Sequence, residues 1–295
     1  MPPDGADAQE ARLMRSMLFV PGDSPRKFEK ASQGNADALI IDLEDSVVAE
    51  KKDEARGLTR TMLEAPRGKP LLYVRVNALD TGRTLGDLAA IMPARPDGIV
   101  LPKSRGGDDV RHVALWLDAF EAAAGTEPGA TRIVVVATET AGSVFGLGSY
   151  KDCSPRLAGM MWGAEDLAAS LGATENGSGG VFHSPYRLAR DLCLIGAAAA
   201  EVTAIDTVYT DIENLAGLEA ETRAARRDGF TCKALIHPKH VDIVNSAFAP
   251  TDAERVWAEK VIAAFADNPN AGTLRLDGRM LDKPHLRAAQ KILGH

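Results

Sequence analysis

Two acids, Glu139 and Asp166, each follow a short apolar run, at 132–137 and 157–162. If those runs are neighbouring parallel strands, about 4.8 Å apart, their carboxylates reach one hard cation. Mg2+ suits such a pair, with water and substrate oxygens completing its octahedron. A pair of solvated or ion-paired loop acids is the competing reading, and spacing alone does not separate the two. No histidine–cysteine cluster competes for zinc.

Other groups with chemical potential also stand at the ends of apolar runs. Glu44 and Asp45 follow the run 36–43, and side-chain alternation puts Asp42 and Glu44 on one face. An acid there can accept from metal-bound water or orient Arg75; for Asp45 a helix-start carboxylate near Ser46 is as good a reading. Arg75 lies between Val74 and Val76, where a guanidinium is costly unless it meets an anion. A substrate carboxylate would serve, and so would a strand-end acid. Lys103 suits a Schiff base, a phosphate contact or a solvated charge. His237 suits a base or a structural imidazole. Lys233 starts its run, which is the wrong end for catalysis.

The elements that must position these groups follow a repeating pattern. Eight apolar runs fall at 16–20, 36–43, 71–76, 98–101, 132–137, 157–162, 205–209 and 234–236. They are rich in β-branched residues and nearly continuous, as parallel strands covered by helices should be. Helical signals lie between them. Ser24-Pro25 reads as a helix start. Val110, Val113, Ala114, Leu117 and Phe120 form one stripe, and Leu215, Leu218 and Thr222 another, with Gly229 just past its end. Chemistry ends nearly every run, which favours a (β/α)8 TIM barrel with one shared mouth over an open sheet with a single switch point. The first turn holds one glycine, Gly22, and no dinucleotide fingerprint. The expected layout is a disordered tail at 1–14, a catalytic barrel at 15–250 and a C-terminal helical extension at 251–295. The extension would pack on the barrel or on a neighbouring subunit.

The chain has 295 residues and a net charge of −7 without a basic stripe, which argues against nucleic acid. No apolar run approaches the roughly 20 residues of a membrane span. The three cysteines, Cys153, Cys193 and Cys232, are scattered, and a reducing, cytoplasmic setting is expected.

Nine short strings in register then add a resemblance. They are SMLFVPG at 16–22, IDLEDSV at 41–47, VRVN at 74–77, LPK at 101–103, ETA at 139–141, GAEDL at 163–167, IDTVY at 205–209, IHP at 236–238 and DGRMLDKP at 277–284. Together they resemble the citrate lyase β-subunit-like acyl-CoA lyases of the HpcH/HpaI aldolase/citrate lyase superfamily, over nearly the whole chain. One position departs: Cys232 precedes Lys233 where that family usually has glycine.

The resemblance implies a Mg2+-dependent lyase that cleaves a β-hydroxyacyl-CoA to acetyl-CoA and a keto acid, assembled as a trimer or hexamer. It implies that Glu139 and Asp166 hold the metal and that Arg75 contacts the substrate, with Glu44 and Asp45 near it. It also implies that Asp282 reaches a neighbouring subunit's site as acid/base. Phe19, Pro21, Gly22, Arg15 and Lys27 would line the coenzyme A side, joined by Asn77, Lys103 and His237. Rival readings are a thioester hydrolase on the same scaffold, a metal-dependent aldolase of free keto acids, a Schiff-base aldolase through Lys103, and a non-catalytic or carrier-dependent subunit.

Overall fold

A strand with apolar residues at every position must be covered on both faces, and that is how the chain arranges itself. The computed structural model describes residues 14–294. Eight parallel strands close into a barrel: β1 (Ser16–Pro21), β2 (Ala38–Asp42), β3 (Leu71–Arg75), β4 (Gly98–Leu101), β5 (Arg132–Val136), β6 (Leu157–Met161), β7 (Thr203–Asp206) and β8 (Cys232–Leu235). Each pairs with the next, and β8 closes on β1.

Alternation sorts the side chains. Met17, Ala38, Ile40, Tyr73, Val100 and Val134 pack in the interior cluster. Leu18, Leu39, Ile41, Val74 and Ile99 pack outward under the helices. Fully burying one such aliphatic side chain contributes about 1.5–3 kcal/mol. Continuing the inward parity, Asp42 and Arg75 are register partners at the last positions of β2 and β3. The packing alternation therefore delivers a charged pair to one mouth of the barrel.

The helices on the outside include α1 (Pro25–Ser32), α2 (Lys52–Glu64), α3 (Thr84–Ile91), α4 (Gly107–Ala124), α5 (Ala141–Val144), α6 (Glu165–Leu171), α7 (Ser184–Ala199), α8 (Leu215–Asp228) and α9 (Val241–Phe248). On α4 the expected stripe is present: Val110, Val113 and Leu117 are buried. On α8, Leu218 and Thr222 are buried, but Leu215, at the first turn, is exposed. β7 starts two residues earlier than expected and ends at Asp206, so Val208 and Tyr209 belong to the following loop. A two-stranded hairpin, Gly177–Ser178 with Val181–Phe182, precedes α7.

The chain divides at Phe248 into two units. The second holds α10 (Asp252–Ala266), strands Thr273–Leu276 and Arg279–Asp282 paired antiparallel, and α11 (Lys283–Leu293). Ala258, Val261, Phe265, Leu281 and Ala289 are its core. The expected C-terminal helical extension thus holds two helices with a short hairpin between them. Asp277 and Gly278 turn the hairpin with φ of 47° and 80°, the two positive values a type I′ turn requires. The expected disordered tail falls, save for Met14, outside the described residues. Among these, no helix is long and apolar enough to cross a membrane, and all three cysteines are buried and unpaired. Cys232 sits in the extended strand β8 with its side chain in the interior cluster, so the absent glycine demands no special backbone there.

Candidate active site

Parallel strands send all their C-terminal ends to one mouth, and the acids collect there. The Arg75 guanidinium donates to both Asp42 oxygens, Nε to Oδ1 and Nη2 to Oδ2, each at 2.7 Å. Its Nη1 stands 3.0 Å from Glu44 Oε2, although that oxygen has no hydrogen bond of acceptable geometry. The ring of Phe19 lies 4.8 Å below the guanidinium carbon. Arg75 therefore meets a strand-end acid, one of the two anions its sequence setting demanded.

Lys103 follows β4 with φ of 52°, a left-handed conformation. Its N–H donates to Glu139 Oε2 at 2.5 Å. Its ammonium donates to Glu44 Oε1 at 2.6 Å and lies 3.4 Å from Asp166 Oδ1 and 3.7 Å from Asp45 Oδ2. One residue thus touches both proposed metal ligands. Glu139 is buried at 4 % exposure, three residues beyond β5, whereas Asp166 is the second residue of α6 and is partly open. The two segments are tied by Thr138 Oγ1, which accepts from Gly163 N–H at 3.0 Å. A methyl on Gly163 would sit 3.1 Å from Glu139 Cγ, so glycine makes room for that carboxylate.

Burial pushes the Glu139 carboxyl up to about 8, and the nearby charges of Glu44 and Asp166 push the same way. Burial also raises Glu44, against the pull of Arg75 and Lys103. At Asp42 burial acts upward as well, but Arg75 overcomes it and holds the group below the ordinary carboxylate range. The acids Asp42, Glu44, Asp45, Glu139 and Asp166 outnumber the cations Arg75 and Lys103 paired with them, and every ligand on offer is a hard oxygen. Such a site suits a divalent cation of the magnesium type.

Pro21 ends β1 opposite Asp42. A methyl on Gly22 would meet Asp42 O at 2.7 Å and Thr59 Oγ1 at 2.9 Å, so this turn demands glycine for space. Asn77 is buried, with its main-chain and side-chain N–H groups both on Asp87 Oδ2. His237 follows β8, where Nδ1 accepts from Lys239 N–H; partial burial and the neighbouring His240 and Lys239 lower its pKa. Lys27 is exposed on α1. Arg15 precedes β1 and pairs with Asp37, which precedes β2. It stands at the opposite mouth from the acids, because a residue before a parallel strand cannot share the end of the residues after it. Asp282 belongs to the second unit, where it caps α11 and lies 2.5 Å from His285 Nδ1.

The HpcH/HpaI aldolase/citrate lyase family model matches residues 15–238. The chain belongs to this family. It is 36% identical over 294 residues to a (3S)-malyl-CoA thioesterase of Cereibacter sphaeroides, covering 97% of this chain and 95% of that one. It is 34% identical over 288 residues to citrate lyase subunit beta of Escherichia coli, covering 97% and 94%. The structure of CitE from Mycobacterium tuberculosis in complex with magnesium, acetoacetate and coenzyme A is similar, with a TM-score of 0.74, 30% identity, and 95% and 97% of the two chains covered.

Within this HpcH/HpaI-type barrel, two features escaped sequence reasoning. Asp42 is the main partner of Arg75, a pairing that strand parity already allowed. Lys233 is wholly buried and donates to Asp206 at 2.8 Å and Glu221 at 2.7 Å, while Asp206 also accepts from Trp162 Nε1. A cleft of about 250 Å3 opens between the 177–182 hairpin and the segment after β7, with Tyr209, Asp211 and Glu221 in its lining. Neither Glu139 nor Asp166 lines it, so it is separate from the acid cluster.

Proposed function

We propose that this chain is a Mg2+-dependent carbon–carbon lyase that splits a β-hydroxyacyl-CoA into acetyl-CoA and a keto acid. The observation that carries the reading is the juxtaposition of buried Glu139 with Asp166, both held to Lys103 beside the Arg75–Asp42 pair. Glu139 and Asp166 would hold the ion, which supplies Lewis-acid chelation of the substrate's oxygens when bound. The magnesium and acetoacetate of the similar CitE structure support this choice.

The chain's own groups then divide the work. Arg75 is fixed by Asp42 and backed by Phe19, so its charge is preorganised for the oxygen on which negative charge develops as the carbon–carbon bond breaks. Glu44 holds Arg75 and Lys103 in their places, and Asp45 adds charge at the rim. Asp282, in this reading, enters from a neighbouring subunit. His285 keeps the Asp282 carboxyl below the usual range, so it starts ionised. It takes the substrate's hydroxyl proton, the carbon–carbon bond breaks, and the same proton returns to the enolate carbon. Run backwards, these steps are a Claisen-type condensation. The proposed assembly is a homo-oligomer, a trimer or hexamer, in the cytoplasm.

The likeness to a malyl-CoA thioesterase favours a second reading, in which water attacks the acyl carbon. Product analysis separates them. Malyl-, citramalyl-, citryl- and hydroxymethylglutaryl-CoA are incubated with the purified chain, with and without Mg2+. Acetyl-CoA plus a keto acid is expected from at least one; free coenzyme A plus intact hydroxy acid would transfer the proposal to the thioesterase.

A further inference from the structure

Lys103 occupies an unusual place for a loop lysine. Its backbone is in the left-handed region, which an L-residue with a full side chain adopts only under constraint. That conformation lets a single residue grip the site twice. The main-chain N–H holds Glu139, and the ammonium reaches Glu44, Asp166 and Asp45. Opposite it, Arg75 is already committed to Asp42 and faces Glu44. The ammonium is thus the one cation that touches both Glu44 and the partly open Asp166 among the ion pairs of the described residues.

A lysine head is a compact point charge on a flexible four-carbon stem, so it can retract where a guanidinium fork held by two bonds cannot. The Lys103 side chain is about a quarter exposed, which gives it solvent to retract into. A divalent ion on Glu139 and Asp166 would stand close to this ammonium, and like charges a few ångströms apart repel strongly even at the effective dielectric of a protein surface.

We propose that Lys103 is a tethered counter-ion, whose ammonium neutralises the acid cluster while the metal is absent and competes with the metal for Asp166. The proposal rests on Glu139 and Asp166 holding the divalent ion. Its consequence runs against intuition: deleting a charged residue in the middle of the site tightens metal binding. A lysine that merely braced Glu44 and Asp166 in position would have the opposite signature, because its loss would loosen the ligands.

The test is calorimetric titration of Mn2+ into the full-length metal-free protein, with thermal unfolding as a second readout. Lys103→Met keeps the stem and removes the charge, and Lys103→Gln serves if the first variant does not unfold cooperatively. Either should bind Mn2+ about tenfold more tightly than wild type, whereas Lys103→Arg, whose fork does not retract, should bind it more weakly. Without metal the uncharged variants should melt below wild type, and saturating Mn2+ should raise their midpoint by more than it raises the wild type's. Asp166→Asn marks the underlying site. Wild type that binds no Mn2+, or Asp166→Asn that binds it undiminished, overturns the metal assignment and this proposal with it. Wild type that binds Mn2+ while folded Lys103→Met and Lys103→Gln bind it equally or more weakly overturns the role of Lys103 alone.

Discussion

At the scale of single residues, the site is a set of charges that only make sense together. Arg75 is costly inside a strand until Asp42, its register partner, accepts both of its forked N–H groups. Lysine keeps the charge but not the fork, so Arg75→Lys should lower kcat about a hundredfold with a smaller change in KM. Steady-state kinetics over the substrate panel check this; an unchanged kcat would remove Arg75 from the developing oxyanion. The arginine's need for an anion was legible from its valine neighbours, and Asp42 was in view through alternation with Glu44. Which anion it meets was not legible, because that depends on which strand lies alongside. The acid cluster's hub, Lys103, was hidden for a similar reason: its left-handed backbone, which turns the side chain toward Glu44, leaves no mark in the string Leu101-Pro102-Lys103.

At the scale of elements, charge also staples the outside of the barrel. Arg156 donates to both oxygens of Glu121 on α4, and the N–H groups of Thr131 and Gly129 complete the carboxylate's shell. Burial opposes ionisation of Glu121, but these donors outweigh it and hold the group at about 2, against an ordinary 4.5. A depressed carboxyl contributes stability that is present above its unfolded value and is lost as pH falls toward its folded one. Glu121→Gln should therefore cost on the order of 3 kcal/mol at pH 7, and the gap from wild type should close between pH 4.5 and pH 2. Urea unfolding across that range measures it; a gap independent of pH would show that the ionised pair contributes nothing. The eight strands were legible because doubly covered strands need unbroken apolar runs, and 98–101 coincides with its strand. Strand seven was misplaced: the apolar Val208 and Tyr209 extend the run, yet they belong to the loop beside the cleft. The C-terminal hairpin had a signal, Asp277-Gly278 between two alternating segments, which the surrounding helical periodicity obscured.

At the scale of the whole molecule, the proposed chemistry needs more than one copy of the chain. Asp282 sits in the second unit as the cap of α11, and the proposed chemistry brings it to a neighbour's barrel. Arg75→Ala and Asp282→Ala should each be nearly inactive alone, yet co-refolded mixtures should regain activity at roughly a quarter of their sites, as a head-to-tail ring requires. No recovery in mixtures shown to have exchanged subunits would place both residues in one chain's site. The shared metal site is tested by keto-acid release from the panel's active thioester, followed through a Mg2+ titration for wild type, Glu139→Gln and Asp166→Asn. If Glu139 and Asp166 hold the ion, wild type shows saturable Mg2+ dependence, abolished by EDTA, and neither variant releases keto acid at any Mg2+ concentration. Turnover that survives EDTA, or full turnover by either variant, would contradict that assignment.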